Sequence, residues 1–274
     1  MEIPPNYGRD LLEGRQPSVG FYIDGAYPSV AENLRSSISG LMSQYFSDYY
    51  RSQGIVVPDN NSLLAVRFVY NQDFKSVYAL TPGIIMLAIM MIPGIMMAVG
   101  IVREKEIGSI MNLYGCLASK MQFLLGKQIP YILLSLVAYL VLVLIAILVF
   151  GVPVKGSFLA MLLGAVIAIC ASTGFGMLVS TFVKTQVAGL FLTAIVLMVP
   201  TMNFSGMMSP TSSLPTWLST LAHLFPGAWF QQISLGGFTK ALSFTSFLVP
   251  YLALSIIYLV YLTLANLFLK KQEP

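Results

Sequence analysis

The chain has 274 residues, of which 57% are hydrophobic and 9% are charged. Soluble globular domains carry roughly 25% charged residues, so this composition argues against a water-soluble enzyme. The net charge of +4 comes from the loops between apolar segments, where membrane topology accounts for it, and a nucleic-acid partner is therefore not expected.

The first part of the chain, residues 1–80, predicts a small folded α/β subdomain. Residues 18–23 have the composition of a strand and end at the turn pair Asp24-Gly25. Apolar residues then recur at helical spacing from Val30 to Tyr49, and residues 63–70 predict a second strand. Strand, helix and strand in this order indicate an α/β unit.

Five uncharged apolar runs follow, and together they predict a transmembrane domain over residues 81–274. A helix rises ~1.5 Å per residue and the hydrocarbon core is ~30 Å thick, so about 20 such residues suffice to cross it. One charge at a helix centre would cost about 2.5–3.5 kcal/mol, and none of the runs contains Asp, Glu, Lys or Arg. The chain is thus predicted to be a mainly α, polytopic membrane protein. The runs are residues 83–102, 129–150, 158–183, 186–208 and 247–269.

The basic residues between the runs predict the orientation. Seven lie in one set of loops and two in the other, so the positive-inside rule places the first set in the cytoplasm. The C-terminus is then cytoplasmic and residues 1–80 are extracytoplasmic. The first set is Arg103, Lys105, Lys120, Lys127, Lys184, Lys270 and Lys271; the second is Lys155 and Lys240.

An external domain at the start of the chain needs a segment that begins its translocation. Residues 1–5 are neither a signal peptide nor a membrane span. Either the first ~80 residues cross by N-tail translocation, or an upstream transmembrane helix is missing from the chain. We favour the second interpretation.

A catalytic or metal constellation is not visible in the sequence. The single histidine, His223, has no second His, Cys or carboxylate nearby, so no metal site is predicted and no cofactor is expected on this chain. Residues 121–128 lack the first Gly and the final Ser or Thr of a P-loop. The spans also hold no titratable carboxylate or His, which argues against coupling to protons or sodium.

The charged cluster Arg103-Glu104-Lys105-Glu106 opens the most informative segment. Apolar residues follow it at i, i+3, i+4 and i+7 spacing, which predicts an amphipathic helix over residues 103–125 along the inner membrane surface. The alternative is a stop-transfer cluster followed by an ordinary interfacial helix.

Several motifs carry a family resemblance. A span that ends in IVREKEIGSI is followed by a short helix and by FLLGKQIPY, and later come FSGMMSP and LPTWL. With IPPNYGRDL and YIDG near the start, these segments resemble the ABC type-2 export permease family over nearly the whole chain. Within the family, the chain resembles the multidrug-exporter permeases and the membrane part of ribosome-associated ATPase fusions. Family members have six spans, and the first has no counterpart here.

The resemblance implies an exporter subunit of a bacterial inner membrane, itself not an enzyme. Such a subunit pairs with a second permease subunit and with cytoplasmic ATP-binding cassette subunits, which hold ATP and Mg. It would move a lipophilic or amphiphilic substrate outward by alternating access. Residues at the positions that couple to the ATPase in the family are Arg103, Glu104, Glu106 and Gly108. An ion-coupled secondary transporter and a non-transporting membrane anchor or sensor are the alternatives.

Two further features concern helix packing and the outer surface. Small residues repeat every fourth position at Gly164, Ala168, Ser172 and Gly176, which permits close approach either within the subunit or at a dimer seam. Residues 201–235 are predicted to form an outer re-entrant hairpin, because the backbone after Pro200 is too broken for a straight span. The hairpin residues are Asn203, Ser205, Gly206 and Pro210, with Trp217, Phe225, Trp229 and Phe230 as expected interface anchors.

Overall fold

A computed structural model describes residues 5–6, 8–9, 13, 19–24, 28–52, 64–69, 76–108, 119–207 and 215–269. The chain divides into two compact units, Met1–Ala79 and Leu80–Pro274.

The first unit contains strand β1 (Val19–Asp24), helix α1 (Pro28–Ser52) and strand β2 (Leu64–Val69). The two strands pair in parallel, with Val19 opposite Leu64 and Asp24 opposite Val69. Parallel strands require a long crossover connection, and α1 lies within it. The predicted order of strand, helix and strand is confirmed, whereas the assignment of residues 1–80 to an extracytoplasmic α/β subdomain stays a prediction.

The second unit is helical. Its five long helices are α2 (Ser76–Ile107), α3 (Lys120–Leu148), α4 (Phe158–Phe182), α5 (Gln186–Phe204) and α8 (Leu248–Phe268), the last preceded by a 3-10 turn at Phe244–Phe247. All five are long and apolar enough to cross a membrane, which confirms the polytopic prediction. Two short helices, α6 (Thr216–Ala222) and α7 (Pro226–Phe238), separate α5 from α8.

The long helices alternate in direction. The C-terminal ends of α2, α4 and α8 meet the N-terminal ends of α3 and α5 through side-chain contacts. We call this the basic end, because Arg103, Lys105, Lys120, Lys127 and Lys184 all lie there. A connection of only three residues, 183–185, joins α4 to α5 and makes them antiparallel neighbours.

Helix α4 is the centre of the second unit. Of its most apolar stretch 61% is buried, compared with 22% for α3 and for α5. Its small residues make this possible. A methyl group on Gly176 would lie 3.0 Å from the carbonyl carbon of Gly94 in α2, and the Ser172 hydroxyl donates a hydrogen bond of 2.6 Å to the Met90 carbonyl. The stripe thus contacts α2 within this same chain.

The other half of the α4 stripe packs on α7. Of the 13 residues of α7, 11 are buried, and a methyl group on Gly164 would lie 2.8 Å from the Ile233 side chain. Thirteen residues extend about 20 Å, too short to cross the hydrocarbon core. Within the region predicted as a hairpin, residues 201–235, the part from Pro226 onward is thus a buried helix too short to span, and the hairpin as a whole stays a prediction.

One detail of that region differs from the sequence prediction. Phe230 was expected at the membrane interface, but it is 1% exposed and makes an edge-to-face contact with Tyr139 of α3. A ring with no polar group is stabilised more by packing inside the protein than by a position at the membrane interface. Trp217, in contrast, is 66% exposed.

Candidate functional site

The charged segment that the sequence singled out lies at the C-terminal end of α2. Arg103 to Ile107 continue the helix, and Gly108, with a φ of +76°, ends it. Glycine adopts this left-handed conformation without the steric cost of a Cβ, and the Gly108 N–H donates to the Lys105 carbonyl at 3.1 Å. The cluster is therefore the end of a long helix and not the start of a new one.

This placement corrects the bounds of the predicted amphipathic helix over residues 103–125. Its first residues belong to α2, and residues 120–125 form the first turns of α3. Ser119 caps α3, with Gln122 completing a capping box. Residues 109–118, the middle of the predicted helix, lie outside the described residues.

Glu106 binds the N-terminal end of α5. One carboxylate oxygen accepts a hydrogen bond of 2.7 Å from the backbone N–H of Gln186, and the other accepts from the Gln186 side-chain amide. Gln186 is the first residue of α5, where the N–H groups have no partner within the helix. Thr185 caps the same end by accepting from Ala188 at 3.3 Å. A carboxylate is favoured here by the helix dipole.

Lys105 binds the opposite kind of helix end. Its ammonium group donates a hydrogen bond of 2.7 Å to the carbonyl of Ser180, which belongs to the last turn of α4. Cations are stabilised at helix C-termini, where the final carbonyls have no helical partner. Adjacent residues of α2 thus bind both sides of the short turn between α4 and α5.

Two more contacts join α3 to its neighbours at the basic end. Glu104 forms an ion pair with Lys127 of α3, and both side chains are partly buried. Lys120, also of α3, donates a hydrogen bond of 2.5 Å to the carbonyl of Leu269, the C-cap residue of α8. Three consecutive side chains of α2, Glu104 to Glu106, therefore contact three other long helices. The remaining long helix, α8, is contacted by Lys120 of α3. We call the four-residue segment Arg103 to Glu106 the α2 hub.

The hub changes the interpretation of the predicted coupling residues. The resemblance places Glu104 and Glu106 at positions that couple to the ATPase, and in this structure both carboxylates bind groups of this chain. Arg103 is exposed and has no ion-pair partner among the described residues. Gly108 ends the helix. A role of these four residues in ATPase coupling stays a prediction.

The predicted hairpin residues lie around the end of α5. Asn203 is exposed, and its side chain donates to the Val199 carbonyl at 2.9 Å. The buried hydroxyl of Ser205 has no hydrogen-bond partner among the described residues. Gly206 has a φ of +86°, which turns the backbone away from the helix. Pro210 lies outside the described residues.

His223 stabilises the connection between α6 and α7. Its Nδ1 lies 2.6 Å from the Ser219 carbonyl, and its ring makes an edge-to-face contact with Trp229 at 4.9 Å. The Trp229 indole donates to the His223 carbonyl at 2.9 Å. Within the described ranges, no group of three or more His, Cys, Asp or Glu side chains could hold a metal ion.

One buried polar network was missed in the sequence. The Gln128 amide of α3 donates to the Thr173 hydroxyl of α4 at 2.8 Å, and its carbonyl oxygen accepts from the Tyr258 hydroxyl of α8 at 2.9 Å. Gln128 is 1% exposed. It directly precedes the predicted span 129–150 and was treated as a flank. The sequence signal for its burial was its position in the helical register, since the apolar pattern of the following span continues through Gln128.

A helical protein with five membrane-length segments in its described part, and with hydrogen-bonded charges at one set of helix ends, has the layout of a multi-pass membrane protein. A family model described as "ABC-2 family transporter protein" matches residues 1–267. The chain therefore belongs to the ABC-2 transporter family.

Three curated relatives are similar to the chain. The "Probable multidrug ABC transporter permease YbhR" of Escherichia coli K12 is 25% identical over 234 residues, which is 85% of this chain and 62% of the relative. The "Inner membrane transport permease YhhJ" of the same strain is 26% identical over 279 residues, 99% of this chain and 72% of the relative. "Probable multidrug ABC transporter permease YbhS" is 23% identical over 220 residues, 78% of this chain and 58% of the relative.

The chain thus spans less than two thirds of the length of YbhR. No solved structure matches it significantly.

Proposed function

We propose that this chain is the transmembrane permease subunit of an ABC exporter in a bacterial inner membrane. In this proposal it pairs with a second permease subunit and receives motion from cytoplasmic ATP-binding cassette subunits, which bind and hydrolyse ATP. It moves a lipophilic or amphiphilic substrate outward by alternating access. Family membership and the printed names of the relatives support this assignment.

The observation that carries the proposal is the α2 hub. Glu104, Lys105 and Glu106 each bind a different long helix, namely α3, α4 and α5. A displacement of this short segment would therefore reach three helices together. In an ATP-driven exporter a subunit outside the membrane must move the spans, and a segment with such contacts is suited to pass on that motion.

The basic residues at the basic end also support the predicted orientation. The positive-inside bias favours a cytoplasmic location for this end, where an ATPase would meet it. Residues 1–80 would then be extracytoplasmic and the C-terminus cytoplasmic. The hub carboxylates would act as positioning groups for the helix ends, while Arg103, which is exposed, would be available to the partner.

The alternative of an ion-coupled transporter receives less support. Among the described residues no Asp, Glu, His, Lys or Arg is buried, and the buried polar side chains there carry hydroxyl or amide groups. A proton or sodium ion crossing with cargo would need a titratable or charged partner at membrane depth. Energy from ATP hydrolysis on another subunit fits this composition better.

The test is a pair of double variants in the complex co-purified with its ATPase and reconstituted in proteoliposomes. Glu104→Ala with Glu106→Ala removes the acceptor oxygens that bind α3 and α5, so ATP hydrolysis should persist while efflux of a lipophilic dye is lost. Glu104→Gln with Glu106→Gln keeps one acceptor oxygen at each site and should retain more of the efflux.

Wild-type efflux in the alanine double variant would contradict the coupling role of the hub. Efflux that survives ATP depletion but stops with an uncoupler would instead favour the ion-coupled alternative. Purification of the chain without any ATPase, together with unchanged export in Glu106→Lys, would favour the anchor or sensor.

A further inference from the structure

A groove of about 590 Å³ lies between α2, α3 and α5 near the basic end. Known small-molecule sites occupy about 300–1,000 Å³, so the groove is large enough for a ligand of that size. Its wall away from the helix ends is apolar and consists mainly of Ile95, Met96 and Val99 of α2 and Leu190 of α5. A chain of methylene groups would be buried favourably along this wall.

The other end of the groove is polar and carries a net positive charge. Arg103, Glu104, Lys127 and Gln186 line it. Glu104 and Lys127 neutralise each other in an ion pair, and Gln186 binds Glu106. Arg103 is left as an exposed cation without an ion-pair partner in the described part of the chain.

An apolar wall that leads to one uncompensated guanidinium selects a particular chemistry. The guanidinium binds carboxylate or phosphate through two parallel hydrogen bonds, and such charge-assisted bonds are stronger than neutral ones. A neutral lipophile would leave Arg103 without a partner, whereas a small hydrophilic anion would leave the apolar wall unused. A ligand with an anionic head and an apolar chain satisfies both.

Tyr131 of α3 also lines the groove. Its ring lies so close to the backbone of Gly100 that a methyl group at that position would lie 3.0 Å from the ring carbon bearing the hydroxyl. The absence of a side chain at Gly100 therefore allows the close approach of Tyr131 to α2, and both residues line the groove. The phenol adds a neutral hydrogen-bonding group between the apolar wall and the cationic end.

We propose that this groove binds an amphiphile with one anionic head, which Arg103 contacts, and an apolar chain that lies along Ile95, Val99 and Leu190. The ligand comes from one of two sources, an anionic membrane lipid or an exported amphiphile. As a binding site the groove is independent of transport. Only the second source rests on the proposed function.

The experiment measures binding of an environment-sensitive dansyl fatty acid to the intact protein in a neutral maltoside detergent. Loss of the two guanidinium hydrogen bonds in Arg103→Ala should weaken binding about tenfold or more, and Arg103→Lys should weaken it less. Lys155→Ala removes one exposed positive charge away from the basic end, so it is the charge control and should change binding less than twofold.

Two leucines of α5 provide a matched pair of variants that tests the apolar wall. Leu190 and Leu192 are both on α5 and both 41% exposed, but only Leu190 lines the groove. Leu190→Trp fills the groove and should weaken binding at least tenfold, whereas Leu192→Trp adds the same bulk elsewhere and should bind as the wild type does. Equal affinities of the two tryptophan variants would overturn the proposal, as would equal affinities of Arg103→Ala and Lys155→Ala.

Competition then separates the sources. Phosphatidylglycerol should displace the probe better than phosphatidylcholine with the same chains, and equal displacement by the two would overturn the proposal. Displacement by phosphatidylglycerol but not by dodecyl phosphate supports a membrane lipid, and equal displacement by both anions supports a free amphiphile. Because no step requires ATP, a failure of export leaves this result intact, and a loss of binding leaves export testable.

Discussion

Replacement of Gly176 by alanine should destabilise the crossing of α4 and α2. The new methyl group would overlap the Gly94 carbonyl oxygen and lie 3.0 Å from the Gly94 carbonyl carbon and 3.1 Å from the Ala98 nitrogen. Carbon atoms pack best at about 3.5–4.0 Å, and backbone atoms have no alternative rotamer, so relief of the overlap with the oxygen requires the helices to separate by about one ångström. Overpacking of this kind costs about 1–3 kcal/mol.

Weakening of a hydrogen bond between the two helices adds to the cost of overpacking. The hydrogen bond from Ser172 to the Met90 carbonyl, 2.6 Å long, lies one helical turn from the crossing. Separation of the helices would lengthen this bond, and a typical hydrogen bond contributes about 0.5–1.5 kcal/mol. We therefore expect Gly176→Ala to cost about 2–4 kcal/mol in total.

The measurement is thermal unfolding of the purified protein in detergent, followed by the fluorescence of Trp217 and Trp229. For a domain of this size, 1 kcal/mol corresponds to a Tm change of about 2–4 °C, so the expected decrease is at least about 4 °C. Gly189→Ala is the matched control, because its methyl group would lie 3.5 Å from the nearest side chains, which is ordinary contact. Alanine favours the helix there by up to about 1 kcal/mol. The reasoning would be refuted if Gly176→Ala unfolded at or above the temperature of Gly189→Ala.

Three further variants test other parts of the second unit in the same unfolding assay. Tyr258→Phe removes a hydrogen bond to the buried Gln128 and should cost about 0.5–1.5 kcal/mol, and an unchanged Tm would show that the network contributes nothing. Gly108 has open space for a methyl group but a φ of +76°, so Gly108→Ala should lower the free energy of unfolding by about 1 kcal/mol. Gly126 is helical and equally open, so Gly126→Ala should stabilise the protein. A Tm change of the same sign in both variants would contradict this reasoning. Lys105→Met removes the cation at the end of α4 and should cost about 0.3–1 kcal/mol, less at high salt, and salt-independent unfolding would argue against the dipole contribution.

The five spans could be predicted because the signal is simple. A bilayer excludes charge over a length of about 20 residues, and no local alternative satisfies that pattern. Helix α7 shows where this signal fails. Its 13 residues are apolar but too short to span, so only the tertiary packing around Gly164 and Tyr139 places Phe230 in the interior.

The sequence was sufficient to predict which residues lie at the basic end, but not which helices they belong to or which groups they contact. The apolar spacing from residue 107 to residue 125 matches a single amphipathic helix, but residue 107 belongs to α2 and residues 120–125 belong to α3. Gly108 was the local signal for a stop, since glycine is the common residue after a helix end. The partners of Glu104 and Glu106 are 23 and 80 residues away, and no local pattern identifies contacts at such separations.

The order of charges in the α2 hub matches the order of helix ends around it. Lys105 lies at a C-terminus and Glu106 at an N-terminus, so each side chain meets the sign of helix dipole that stabilises it. Exchange of the two residues would place each charge against a like partial charge. Because the two bound helix ends are joined by only three residues, α4 and α5 are held to α2 as one body at this end. Helix α3 is held to α2 there by the pair of Glu104 and Lys127, so a displacement of the hub relative to α3 must act on that ion pair. The groove lies between these two parts, with Arg103 and Leu190 on one side and Lys127 and Tyr131 on the other, and its width therefore depends on the motion that the hub would transmit.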